Sequence, residues 1–158
     1  RDPIERVDLI IASFHWGEEY VTTPSKEQLI WEKFLYRNGV DIIIGHHPHV
    51  PQPVKVYHSE EGRISNITAY SLGNAISNMT VRNSRVGVAL KLRATKERFS
   101  GKIDILEPII EYIWTTRPKE GDSNYSIVPI KEALESPNLY PVAGELDLIR
   151  HYYKIFNR

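Results

Sequence analysis

Apolar residues along this chain fall into two kinds of run. Leu9-Ile10-Ile11-Ala12, within a stretch from Val7 to Phe14, and Val40 to Ile44 are nearly continuous, which suits strands covered on both faces of a parallel sheet. Between them the period changes. Ser25-Lys26-Glu27-Gln28 reads as a capping box beside Pro24, Asn38-Gly39 as a stop, and the i,i+4 pairs Ile30 with Phe34 and Trp31 with Leu35 predict an apolar helix face turned toward the sheet. Residues 7 to 44 therefore form one βαβ unit, and in such sheets ligands sit beyond the carboxyl ends of the strands.

Further along, alternation replaces continuity. Val54 to Tyr57 and Ile64 to Leu72, joined by Glu60-Glu61-Gly62, predict a hairpin. Val86 to Leu92, Lys102 to Leu106 and Ile109 to Trp114 predict half-buried antiparallel strands that complete a mixed sheet or add a second one. Thr115 to Asn124 reads as an exposed loop. From about Gly144 onward, Leu146, Ile149, Tyr153 and Phe156 share one stripe of a terminal helix. The expected fold class is mixed α/β, with residues 1–114 as one unit and 115–158 as a loop and helix packed on it.

The candidate chemistry sits where the second apolar run ends. Gly45-His46-His47-Pro48-His49-Val50 places three imidazoles within four residues, and imidazole is the commonest ligand for zinc, manganese and iron. Pro48 stiffens the His47 to His49 link and biases His47 toward an extended conformation. A further histidine, His15, ends the first apolar run, so two strand ends are expected to converge on one site. Asn74, after Ser71-Leu72-Gly73, could reach the same place from a third strand end or simply form a turn. Trp16 and Tyr20 read as packing around the site, Glu18 and Glu19 as neighbours or an exposed pair, and His58 and His151 as residues with surface or core roles.

Composition narrows the classes. The chain has 158 residues, 41% of them hydrophobic, enough for one modest core. Twenty acids balance twenty bases, so the chain-wide charge points to neither nucleic acid nor an anionic membrane. Cysteine is absent, which removes disulfides, cysteine nucleophiles and thiolate-bound zinc. Arg1 opens the sequence directly before its first strand, from which an upstream part is expected.

Taken in order, His15-Trp16-Gly17-Glu18-Glu19-Tyr20, Pro24-Ser25 with Gln28, Gly45-His46-His47-Pro48-His49-Val50 with Gln52-Pro53-Val54, and Tyr70-Ser71-Leu72-Gly73-Asn74 resemble the bacterial capsule-synthesis proteins of the CapA/PgsA (poly-γ-glutamate) family. That family resembles the calcineurin-like metallophosphoesterases. The resemblance covers roughly residues 7 to 92 and implies the C-terminal half of a two-sheet sandwich carrying a two-metal site.

It implies His15, His47 and His49 as metal ligands, with His46 and Asn74 in catalytic positions beside the substrate. The usual Gly-His-x-His spelling carries one extra residue here, so His46 or His47 could take the first ligand role; the i,i+2 spacing to His49 favours His47. Two Mn, Zn or Fe ions in the intact protein would bridge a water and clamp the oxygens of a phosphoester. The upstream Asp-x-His, Gly-Asp and Asn-His segments that usually carry most of the ligand charge are not in this chain.

Two further expectations follow from the resemblance. One is a hydrolase or a polymer-binding scaffold handling an anionic polymer at the extracytoplasmic face of the bacterial envelope, held to the membrane only through an N-terminal anchor outside this chain. The other is a set of partners made up of the missing half of the domain and a second copy, with no role for nucleic acid. Lys55, Arg63, Arg82 and Arg85 are the basic candidates for contact with the polymer.

Overall fold

Three strands run parallel because the helix and hairpin between them return the chain to the same edge each time. The computed structural model describes residues 7–81, 83–118, 124–142 and 144–157. In it β1 (Ile11–His15), α1 (Lys26–Arg37), β2 (Ile42–His46), β3 (Val54–His58) and β4 (Ile64–Ala69) form a four-stranded sheet in the order β1-β2-β4-β3. β1, β2 and β4 are parallel, and β3 pairs antiparallel with β4. The carboxyl ends His15, His46 and Ala69 therefore lie along one edge of the sheet.

The second half follows the alternating pattern. β5 (Val86–Lys91), β8 (Ile109–Thr115) and β9 (Ile127–Pro129) make a three-stranded antiparallel sheet, while β6 (Ala94–Lys96) and β7 (Ile103–Ile105) form a separate ribbon. α2 (Ile130–Glu135), a short 3-10 turn (Pro137–Leu139) and α3 (Leu146–Phe156) complete the chain. The fold is mixed α/β. Of the expected loop at Thr115 to Asn124, Thr115 belongs to β8 and residues 119–123 lie outside the described residues; β9 and α2 were not anticipated. Ile127-Val128-Pro129-Ile130 is too short a run to declare itself, and it becomes strand and helix because Val128, Ile130 and Ala133 are buried with Trp114, Ile149 and Tyr152.

Two expectations for the βαβ unit need correction. The continuous apolar run at Ile11 is not covered on both faces: exposure alternates along β1, which forms the sheet edge, and Ile11 is 55% exposed. Nor do Ile30, Trp31 and Phe34 form the inner face of α1, although the Trp31 ring lies 6.3 Å from that of Phe14 on β1. These three side chains are exposed, and the face toward the sheet is Gln28, Leu29, Glu32, Leu35 and Tyr36. The capping box is formed as expected, but its Gln28 also hydrogen-bonds Gln52 and the Tyr70 carbonyl, and buried Glu32 accepts from the Tyr57 hydroxyl at 3.0 Å. Because these partners satisfy them, two polar residues can occupy the inner stripe.

Beneath α1 lie three phenols. Tyr36 bonds the Thr68 hydroxyl, Tyr57 bonds Glu32, and the fully buried Tyr70 hydroxyl has neighbours in Glu32 and Tyr57 but meets neither at hydrogen-bonding geometry. Burial raises the pKa of all three above the ordinary value of 10. The folded chain thus keeps its phenols protonated where the unfolded chain ionises, so their contribution is intact below pH 10 and lost as pH rises above it. Tyr70→Phe is expected to raise the urea midpoint at pH 7, by up to about 1 kcal/mol, since it deletes an unsatisfied buried hydroxyl. It should also make the fall in stability above pH 10 shallower. A loss of more than about 1 kcal/mol at pH 7 would show that the hydroxyl is well bonded.

Candidate functional site

The loops beyond β1, β2 and β4 are tied together before any side chain reaches the site. Trp16 N–H donates to the His46 carbonyl and extends the β1–β2 ladder, and Tyr20 N–H donates to the Pro48 carbonyl at 2.8 Å. Gln52 amide protons reach the carbonyls of Val21 and Thr23, and Trp16 Nε1–H donates to the Tyr70 carbonyl at 2.8 Å. Gly45 permits the tightest approach. A Cβ there would lie 2.0 Å from the Tyr70 carbonyl oxygen and 2.5 Å from Trp16 Nε1, so only glycine lets β2 pass between them.

On this frame His15 and His47 come together, with ring centroids 4.5 Å apart, and His47 and His49 lie 6.3 Å apart. His47 and His49 are not extended as Pro48 suggested. Their φ angles are 101° and 60°, in the region L-residues rarely adopt. The strain is a physical reason to look for a role, because neighbouring structure must impose it. His46 stands beside His15 in the strand register, and neither ring contact involves it.

Asn74 joins the cluster through His49. Its amide Nδ2 donates to the Ser84 carbonyl at 2.9 Å and approaches Met79 Sδ, which leaves Oδ1 as acceptor for the His49 Nδ1 proton at 3.0 Å. Held in this tautomer, His49 presents the lone pair of Nε2, the arrangement common among metal-binding histidines. Tyr20 stacks on the other side, 6.0 Å between centroids and 27° between planes. Tyr20 thus packs around the site, as its place beside the strand ends suggests, and the side chain it covers is His49. Trp16 is packing, buried with Ile43 and Tyr70. Glu18 and Glu19 are exposed.

Among the described residues, no three histidine, cysteine or carboxylate side chains converge closely enough to hold a metal ion. His15 and His47 are near neighbours; His49 stands further away. Asp41 offers nothing here, since its carboxylate accepts from Ile10 N–H at 2.7 Å just before β2, and Asp8 pairs with Lys96. The basic candidates are also engaged elsewhere. Lys55 lies over the Tyr70 ring, Arg63 approaches Glu61 and Asp104, Arg85 pairs with Glu145, and Arg82 lies outside the described residues. His58 is exposed beside Glu107, and His151 packs edge-on against Tyr152 in α3.

Comparison with known proteins agrees with the part of the chain that builds this site. The family described as "Bacterial capsule synthesis protein PGA_cap" matches residues 2–79, a span that includes His15, the 46–49 cluster and Asn74. The PGA biosynthesis protein CapA of Bacillus subtilis (strain 168) is 28% identical over 134 residues, which is 85% of this chain and 33% of that protein. The capsule biosynthesis protein CapA of Bacillus anthracis is 44% identical over 77 residues, 48% of this chain and 17% of its own length. The chain thus spans a third or less of the relatives it matches. Strand ends and histidine cluster fall within the matched span, and over that half of the chain the protein is similar to the CapA-type bacterial capsule synthesis proteins.

Proposed function

We propose that this capsule-synthesis chain handles an anionic polymer or phosphoester at the histidine-bearing strand ends, with divalent metal ions as part of the site in the intact protein. The observation that carries the reading is the approach of His15 to His47 at the carboxyl ends of adjacent parallel strands, 4.5 Å between rings. The donor chemistry fits Mn, Zn or Fe, and the Asn74-fixed tautomer leaves a lone pair on His49 Nε2. The fit is partial, since too few ligands converge among the described residues, and carboxylates from the rest of the protein would have to complete it. A bound cation would polarise the scissile group or hold the polymer's carboxylates. The chain's own contribution is orientation: Asn74 holds His49, and Tyr20 covers it.

The same shortfall of ligands favours a second reading, a scaffold of this fold that binds polymer without cleaving it. The exposed edge at Ile11, beside the exposed Ile30, Trp31 and Phe34 face, suits additional strands from the full-length protein or a second copy. Both partners belong to the proposal.

The test is thermal unfolding with and without Mn²⁺ or Zn²⁺. At a hundredfold excess over Kd the metal is expected to stabilise the native chain by about 2.7 kcal/mol, and His15→Ala or His47→Ala should abolish that gain while changing the metal-free midpoint little. His47→Gly should stabilise the metal-free protein by about 1 kcal/mol, because glycine accepts a positive φ. Full metal stabilisation in both alanine variants would exclude these histidines as ligands. Turnover of a phosphodiester by the full-length protein separates hydrolase from scaffold.

A further inference from the structure

We infer that the β6–β7 ribbon is a lipid-contacting device, inserting Phe99 into an anionic phospholipid surface while the surrounding bases meet the headgroups. The argument is independent of the histidine site. From Lys91 to the end of the ribbon at Ile105 the chain carries Lys91, Arg93, Lys96, Arg98 and Lys102 against Glu97 and Asp104, a local excess of three positive charges in a chain whose net charge is zero. At the apex of this basic segment stands Phe99, 95% exposed, the most exposed of the large apolar side chains among the described residues.

The tip is built rather than loose. Glu97 N–H donates to the Lys102 carbonyl at 2.8 Å, Gly101 N–H donates to the Glu97 carbonyl at 2.9 Å, and Gly101 takes the positive φ of 69° that closes the turn. The Ser100 hydroxyl donates to the Glu97 carboxylate, which occupies the acid nearest Phe99 within the turn itself. Lys96 is paired with Asp8 at 2.7 Å, whereas among the described residues neither Arg98 nor Lys102 forms an ion pair. The tip thus holds an aromatic ring and two cations in one preorganised turn, so little ordering entropy is lost when it docks.

The Phe99 ring decides the class of partner. A soluble polyanion would be matched by the cations and would leave an apolar ring in water, whereas a bilayer surface takes the ring below the headgroups and attracts the cations to them. Topology supports the arrangement. The ribbon leaves β5 at Lys91, while the other end of β5, at Gly87, bridges to Gly73 beside Asn74. Gly87 and Lys91 are four residues apart along β5, roughly 13 Å, so a chain docked by Phe99 holds its histidine cluster off the lipid surface.

The experiment is co-sedimentation of the 158-residue chain with vesicles of phosphatidylcholine alone or mixed equally with phosphatidylglycerol. Binding is expected on the mixed vesicles only, falling about tenfold in Phe99→Ser and about twentyfold in Arg98→Glu with Lys102→Glu, with Phe34→Ser on the α1 face unchanged. Circular dichroism verifies folding of each variant. Should Phe99→Ser fail to fold, Phe99→Trp with brominated lipid replaces it, and quenching of the new tryptophan is the supporting result. Equal binding by native chain and Phe99→Ser, absence of quenching, or loss of binding in Phe34→Ser would each overturn the inference. So would binding of soluble polyglutamate that needs Arg98 and Lys102 but not Phe99, in the absence of vesicle binding.

Discussion

Gly45→Ala is expected to cost at least about 3 kcal/mol in urea unfolding and to dismantle the site. The added Cβ would stand 2.0 Å from the Tyr70 carbonyl oxygen, far inside any contact a real side chain tolerates, and backbone rather than a flexible side-chain end must move. Moving it breaks the Trp16 Nε1–H bond to the same carbonyl and strains the Leu72 N–H bond to the Gly45 carbonyl, so β1, β2 and the Tyr70 to Asn74 segment lose their common anchor. Trp16 fluorescence should report the change, and metal-dependent stabilisation should vanish with it. A cost under about 1 kcal/mol would show that the three strand ends move independently.

Glu145→Ala should be comparably damaging, by about 3 kcal/mol, although it lies away from the strand ends, beside the core around Trp114. The Glu145 carboxylate receives both bonds from Arg85 Nη2, at 2.7 and 2.8 Å, and the Trp114 Nε1–H bond at 2.9 Å, while the Arg85 guanidinium lies 4.2 Å from the centre of the Trp114 ring. Removing it leaves a buried indole N–H without its acceptor and a nearly buried guanidinium without its counter-charge, held by the Thr115 carbonyl alone among these partners. The double variant Arg85→Met with Glu145→Met should recover much of the loss, because the cost arises from the charge left behind rather than from the absent pair. If the double variant is no more stable than Glu145→Ala, the pair itself is the larger contributor.

Much of this protein was legible in one dimension wherever local chemistry and tertiary demand agree. The parallel βαβ unit, the β3–β4 hairpin, the strands around Val88 and Tyr112 and the terminal helix follow from period, caps and turns, which need no distant partner to be read. The histidines at strand ends were legible for the same reason, since parallel strands carry their carboxyl ends to one edge.

What only the tertiary structure decided has a common cause. Ile30, Trp31 and Phe34 show helical spacing, yet α1 turns Gln28 and Glu32 inward, because Gln52, the Tyr70 carbonyl and Tyr57 bond them there; spacing defines an apolar stripe but not what will face it. Ile11 sits in a run apolar enough to be covered on both faces and is 55% exposed, because what packs on a strand depends on the elements around it rather than on the strand itself. The positive φ of His47 and His49, the tautomer Asn74 imposes, and the Tyr20 stack come from contacts across 25 or more residues. A chain-wide charge of zero likewise hid the basic ribbon around Phe99, since a sum over the sequence discards the positions on which an interaction surface depends.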